Sequence, residues 1–149
     1  GLSYDGTFAN PDIYTKSNKF GAKIDWNIND FNKFSFRWSY VDAKQLNVVS
    51  SASSLNDDHY YFPFTSKTNS FTAELQSRLS PVVSNEARVS YVRVRDKRNV
   101  SSAFPMISLQ VTGGSVNIGN ERSSMANSLD QDIYTIEDNP TGPANFLYF

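Results

Sequence analysis

The chain's single histidine, His59, directly follows two aspartates, Asp57 and Asp58. An imidazole beside two carboxylates could bind a metal ion or transfer a proton. No second histidine and no cysteine is present to complete a typical metal site or to act as a nucleophile, and no Gly-x-Ser-x-Gly sequence surrounds any serine. We therefore expect a solvated loop at this position, with no metal, no cofactor and no enzymatic activity.

Glu74 and Glu86 lie on neighbouring predicted strands and could face each other across a hairpin. A glycosidase uses two opposed carboxylates as its acid and its nucleophile. Arg78 and Arg88 have the same alternation phase as the two glutamates, so they would share their face of the sheet. Cross-strand ion pairs therefore explain the charged residues more simply than catalysis does.

A block of aromatic residues, Tyr60-Tyr61-Phe62-Pro63-Phe64, follows a long polar stretch. Such rings could stack against a ligand, because they offer flat apolar area at a small cost in entropy. An aromatic girdle at a membrane interface is the favoured alternative, since the block begins a strand where a loop ends. The candidates for ligand contact are Tyr60, Tyr61, Phe62, Phe64 and Phe104.

The charged and aromatic residues fall on segments in which apolar and polar side chains alternate. From Phe20 to Ile28 every second residue is apolar, and from Phe34 to Tyr40 aromatic residues alternate with serine and arginine. A period of two is that of a β-strand. Residues 29–32 between the two runs predict a turn, so the fold class is all-β, an antiparallel meander.

The predicted layout alternates short turns with long loops. It comprises a loop at 1–17, two hairpins at 18–95 with a long loop at 41–64, a long extracellular loop at 96–128, a further strand at 129–139, and a turn with the start of the next strand at 140–149. Within the second long loop Ile107–Val111 is predicted as a short strand. After Tyr91 the alternation slips, which predicts a bulge or the end of the apolar contact. Tight turns at one end of the strands and long loops at the other are typical of a transmembrane β-barrel.

In a barrel, one face of the sheet meets lipid and the other lines the lumen. The residues expected to face lipid are Phe20, Ile24, Trp26, Phe34, Phe36, Trp38, Tyr40, Phe71, Leu75, Val89 and Tyr91. The residues expected to face the lumen are Lys23, Asp25, Arg37, Glu74, Gln76, Glu86 and Arg88. Five or six strands cannot close a bacterial barrel, so the chain would be a segment of a larger one. The alternative is a soluble β-sandwich, for example a carbohydrate-binding module, in which the apolar faces form the core between two sheets.

The composition excludes several partners and sites. A formal net charge of −1 gives no electrostatic basis for binding nucleic acid. Without cysteine the chain has no disulfide bond and no thiolate metal site. No apolar run reaches the roughly 18 residues of a transmembrane helix, whereas a barrel strand needs only about ten alternating residues.

Several short sequences occur in the order in which they are found in one family of membrane proteins. They are KIDWNIN at 23–29, KFSFR at 33–37, YFP at 61–63, SNE at 84–86, VRDKR at 94–98, AFP at 103–105 and ANSLDQDIY at 126–134. With them the chain resembles the TonB-dependent outer-membrane receptors of the Oar-like group of Bacteroidetes, which carry a carboxypeptidase regulatory domain.

That resemblance implies a bacterial outer-membrane barrel of about 22 strands around a plug, importing a ligand too large or too scarce for porins. The implied partners are outer-membrane lipid, the remaining barrel and plug, the TonB complex and an unknown ligand. No plug or TonB-box sequence lies within these residues.

Overall fold

The computed structural model describes residues 3–122 and 126–142, and their regular structure is almost entirely β. The strands are β1 (Thr15–Asn29), β2 (Asn32–Asn47), β3 (Ser54–Asn56), β4 (Phe62–Arg78), β5 (Ser84–Arg98), β6 (Ile107–Val111), β7 (Gly114–Ile118) and β8 (Ser128–Thr141). A short 3-10 helix, Asp58–Tyr60, precedes β4. In the described part of the chain, no helix has the length and apolar character needed to cross a membrane.

The described residues form two compact units. The sheet unit comprises residues 19–41, 67–94 and 130–142, and the loop unit comprises residues 3–18, 42–66, 95–122 and 126–129. The five long strands make an antiparallel meander in the order β1-β2-β4-β5-β8, and the short strands make a second sheet in the order β3-β7-β6. The predicted all-β meander is therefore confirmed.

The turn between β1 and β2 is fixed by one side chain. The Asn29 Oδ1 atom accepts hydrogen bonds from the backbone N–H groups of Phe31 and Asn32, at 2.9 and 2.8 Å, and from the Asn32 side chain at 3.0 Å. An asparagine that binds the backbone two and three residues ahead stabilises a tight reversal. The turn is thus shorter than expected, because only Asp30 and Phe31 separate the two strands.

The turn between β4 and β5 also closes on itself. The backbone N–H groups of Leu79 and Ser80 both donate to the carbonyl of Val83, at 2.9 and 3.1 Å. Val83 itself is buried, whereas Val82 is exposed. Both connections at this end of the sheet are therefore short and internally hydrogen-bonded.

Among the described residues, no protein core packs against the apolar face of the long sheet. Phe20, Ile24 and Trp26 are each about 60% exposed, at 61%, 62% and 59%. Phe62 and Val83 are the sole buried hydrophobic residues among those described. A β-sandwich needs its apolar faces packed together, so the alternative of a soluble sandwich is wrong for this chain.

The loop unit contains more regular structure than the sequence predicted. In the connection predicted as a loop at 41–64, β2 continues to Asn47, β3 and the 3-10 helix follow, and β4 begins at Phe62. Strand β6 has the predicted bounds Ile107–Val111, whereas its partner β7 was not predicted. β5 continues to Arg98, beyond the point where the alternation slips.

The short sheet is built around β7, which pairs with β3 in parallel and with β6 in antiparallel register. Gly113 lies in the β6–β7 turn with φ +89° and has open space where a side chain would project. At Gly114 a Cβ atom would overlap the carbonyl of Ser53, which accepts a hydrogen bond from the backbone of Ser115 at 2.9 Å. These two glycines thus lie at the β6–β7 turn, and only the second of them is enclosed.

Candidate functional site

The polar face of the sheet unit carries a four-residue ionic cluster centred on Arg88. Its guanidinium lies 2.9 Å from Glu74, 2.7 Å from Glu86 and 3.2 Å from Glu137. Two of its nitrogens, Nε and Nη2, donate to the same oxygen of Glu74, so this contact is the most constrained of the three. The cluster joins β4, β5 and β8, and it uses Glu74 and Glu86 as partners of arginine rather than as an opposed acid pair.

The remaining residues predicted to face the lumen share that polar face. Lys23 and Asp25 form an ion pair at 2.8 Å on β1. Gln76 donates to Glu74 at 2.7 Å. Arg37 lines the same recess as Lys23, Glu74 and Arg88. The structure thus brings all seven of the predicted lumen residues onto one face; whether that face lines a lumen stays a prediction.

The opposite face carries a row of aromatic rings that crosses four strands. Phe36, Phe71, Tyr91 and Tyr134 follow one another at centroid separations of 6.5, 6.2 and 4.8 Å. Cross-strand ring pairs of this kind stabilise a sheet beyond their buried area. The Tyr91 hydroxyl donates to Asp132 at 2.7 Å, so a carboxylate lies beside the row.

The other residues predicted to face lipid belong to the same side. Phe20 and Tyr40 stack across β1 and β2 at 6.5 Å. Strand alternation places the remaining six predicted residues on this side as well: Ile24, Trp26, Phe34, Trp38, Leu75 and Val89. The two predicted sets therefore lie on opposite faces, and contact with lipid stays a prediction.

The loop unit is organised around the fully buried side chain of Asp57. Its carboxylate accepts hydrogen bonds from the backbone N–H groups of Tyr60 and Gly119, both at 3.0 Å, and from the Tyr4 hydroxyl at 3.2 Å. Asp57 is also the N-cap of the 3-10 helix. One carboxylate thereby joins three segments that are far apart in the sequence, which is how a buried charge is made tolerable.

The prediction of a solvated loop at Asp57 and His59 is wrong. Asp57 is fully buried, and the side chain of His59 is only 14% exposed, between Asp5 at 3.5 Å and Asp57 at 3.9 Å. Ligand atoms of Asp57, Asp58 and His59 lie within 4.8 Å of one another, so these three residues could hold a cation. The oxygens of both aspartates already accept backbone N–H groups, including Thr7 N–H at 2.8 Å to Asp58. We therefore assign them a structural role.

Two tyrosines in the loop unit are harder to ionise than a free tyrosine. Desolvation, followed by the negative charge of Asp57, raises the pKa of Tyr4. Desolvation, followed by the charge of Glu121, raises the pKa of Tyr60. Both hydroxyls therefore stay neutral at physiological pH.

The aromatic candidates for ligand contact are not equivalent. Phe62 is 5% exposed, with the Arg98 guanidinium 5.8 Å from its ring centroid, so it packs in the interior and offers no surface to a ligand. Phe104 packs edge-on against Tyr4 at 5.2 Å. Tyr60, Tyr61 and Phe64 are half-buried. Contact of these other four residues with a ligand stays a prediction.

Sequence reasoning missed the partners that lie far along the chain. Gly119 is 62 positions from the aspartate it binds, and Glu137 is 49 positions from Arg88. For Glu137 a signal existed, since the alternation of β8 puts it on the face opposite Tyr134. For Gly119 no pattern in the sequence indicates its partner.

The face alternation, the meander and the connection lengths agree with a comparison against known families. A family model described as "Outer membrane beta barrel domain" matches residues 3–145. The chain belongs to this outer-membrane β-barrel family. No curated protein and no solved structure matches it. Its location is the bacterial outer membrane.

Membership in the outer-membrane β-barrel family explains why the sheet exposes so much apolar surface. A barrel strand alternates residues between a lipid side and an inner side, so that neither face needs a second protein layer. Every residue of β1 and of β8 is exposed, since these strands are the two edges of the described sheet.

Proposed function

We propose that this chain forms part of the wall of a TonB-dependent outer-membrane transporter that takes up a large or scarce ligand. The observation that carries the proposal is the separation of the long sheet into an aromatic face and a charged face, together with its family. In the proposed arrangement the aromatic face meets lipid, the charged face lines the lumen, and the protein catalyses no reaction.

The edges of the sheet support a barrel that other strands complete. β1 and β8 are the two edge strands of the described sheet. An open strand edge is costly in a bilayer, because lipid offers no hydrogen bonds to backbone groups. Five strands are fewer than the eight or so that the smallest bacterial barrels use. We propose that further strands pair with both edges and that a plug fills the lumen.

The lengths of the connections between strands support one orientation of the barrel in the membrane. The turns after β1 and β4 are short, whereas residues 48–61 and 99–127 between β2 and β4 and between β5 and β8 contain most of the loop unit. Barrels of this kind have short periplasmic turns and long external loops. The loop unit would therefore be extracellular, where Tyr60, Tyr61, Phe64 and Phe104 could meet a ligand.

The choice of TonB dependence over a simple pore is supported by the sequences shared with Oar-like receptors, including KIDWNIN and ANSLDQDIY. A plugged transporter should hold its lumen closed until TonB acts on it. An open pore of the same architecture would conduct ions continuously.

The full natural polypeptide, reconstituted in planar lipid bilayers, tests this proposal. We expect no steady conductance in potassium chloride, and binding of the purified periplasmic domain of TonB in a calorimetric titration. An unrelated outer-membrane porin in the same bilayers serves as the conducting control. Steady ohmic conductance together with no binding of the TonB domain would contradict the transporter and leave an open pore.

A further inference from the structure

The charges on the polar face of the sheet unit are unequally neutralised. Arg88 has three carboxylate partners, and Lys23 has Asp25. Among the residues that the structure describes, Arg37 has no hydrogen-bond or ion-pair partner, although it lies on the same face. An arginine offers five N–H donors in a fixed plane, and all of these are available here.

Arg37 lies in a recess with other unused donors. The recess has a volume of about 420 Å3 and is lined by Lys23, Ser35, Arg37, Thr72, Glu74 and Arg88. Ser35 and Thr72 supply hydroxyls without a partner among the described residues. Glu74 is already bound by Arg88 and Gln76. Of the three cations in the lining, Lys23 and Arg88 have carboxylate partners, and Arg37 alone has none at ion-pair distance among the described residues.

A neighbouring recess contains a second cation without a direct partner. It is lined by Lys23, Asp25, Lys33, Ser35, Glu74 and Gln76, and Lys33 has no ion-pair partner among the described residues. Lys33 and Arg37 are thus left without a carboxylate at ion-pair distance, although the charge of Asp25 acts on both. Cations without a direct partner attract anions.

We propose that Arg37, with Lys23, Ser35 and Thr72, forms an anion-binding subsite for a carboxylate or phosphate group of a diffusible ligand. A planar guanidinium can bind two oxygens of either group at once, and the hydroxyls can donate to the remaining ones. This inference rests on the proposed function, in which the polar face lines the path of a ligand, and it names the charge that the ligand carries.

Calorimetric titration of the full natural polypeptide in detergent micelles tests the subsite. The probes are citrate and inorganic phosphate at constant ionic strength, and the tighter of the two identifies the source of the anionic group. We expect Arg37→Gln to weaken binding about tenfold or more, since charge-assisted hydrogen bonds are lost. The double variant Ser35→Ala with Thr72→Val should weaken it several-fold.

Arg122→Gln is the matched control, because it removes the same charge from an exposed arginine of the loop unit. No binding of either probe to the unaltered protein, or equal losses in Arg37→Gln and Arg122→Gln, would overturn the subsite. Titration of the unaltered protein with the TonB domain separates the two proposals. If the protein binds TonB but neither probe, the subsite alone is wrong. If it binds the probes but not TonB, the transport proposal alone is wrong.

Discussion

The sheet unit and the loop unit satisfy their polar groups in opposite ways. The sheet unit pairs charged side chains with one another on an open face, and Arg88 at its centre is 38% exposed. The loop unit buries the carboxylate of Asp57 completely and satisfies it largely with backbone N–H groups. In the sheet, strand alternation places the charged side chains on one face. In the loop unit, buried hydrogen bonds to Asp57 hold separate segments together.

Replacing Asp57, the buried centre of the loop unit, should give the largest loss of stability. Asp57→Ala removes the acceptor of the buried Gly119 N–H and of the Tyr4 hydroxyl, whereas the Tyr60 N–H keeps the backbone carbonyl of residue 57 at 3.2 Å. We expect a cost of about 3–5 kcal/mol to the loop unit. Amide hydrogen exchange at Gly119 and Tyr60 should accelerate, while exchange in residues 32–41 of β2 and 67–78 of β4, which belong to the sheet unit, should not. Asp5→Ala is the control, because the side chain of Asp5 is 81% exposed. Equal acceleration in both variants would mean that Asp57 does not organise the unit.

The two faces of the sheet should respond differently to the same added charge. Phe71→Arg places a guanidinium within the aromatic row, and on a lipid face near the bilayer centre this costs about 2–4 kcal/mol. Thr72→Arg places it on the polar face and should cost far less. Equilibrium unfolding of the natural protein in phospholipid vesicles measures both. If the two variants lose the same stability, the assignment of lipid and lumen faces is wrong.

Breaking the ionic cluster should have a smaller effect. Arg88→Gln leaves Glu74, Glu86 and Glu137 close together without a counter-charge, and we expect only a small loss of stability because the site is partly solvated. The loss should shrink at high salt, which screens the repulsion. A double-mutant cycle with Glu74→Gln isolates the bidentate contact, and additivity within error would show that the contact contributes nothing.

The smallest expected effect is the dependence of the stability of the loop unit on pH. Because the pKa values of Tyr4 and Tyr60 are raised in the folded state, the unfolded chain loses these protons first as the pH rises. The contribution of these two tyrosines to the stability of the loop unit should therefore be constant below about pH 10 and fall above it. Hydrogen exchange of the Gly119 amide across this range measures the fall, and Tyr4→Phe should reduce it.

The sequence was sufficient to predict what depends on local alternation. It gives the five long strands, both faces of the sheet, the turn after Asn29 and the bounds of β6. These features follow from a period of two and from turn-forming residues, which need no knowledge of distant contacts.

What the sequence could not predict depends on partners far along the chain. β7 is hard to recognise because it is short and its apolar residues are few, and it is defined by pairing with β3 and β6. Asp57 and His59 resemble any exposed polar pair until Tyr4 and Gly119 enclose them. Such contacts are set by tertiary packing, which local sequence does not encode.

The turn at Gly113 and Gly114 offers a practical site for engineering. An added side chain at Gly113 meets nothing within 4 Å, whereas one at Gly114 overlaps Ser53. Exposed loop tips accept inserted peptides when no buried backbone is displaced. An antibody epitope inserted between Thr112 and Gly113 would leave β7 in place and could report, on intact cells, which side of the membrane the loop unit occupies.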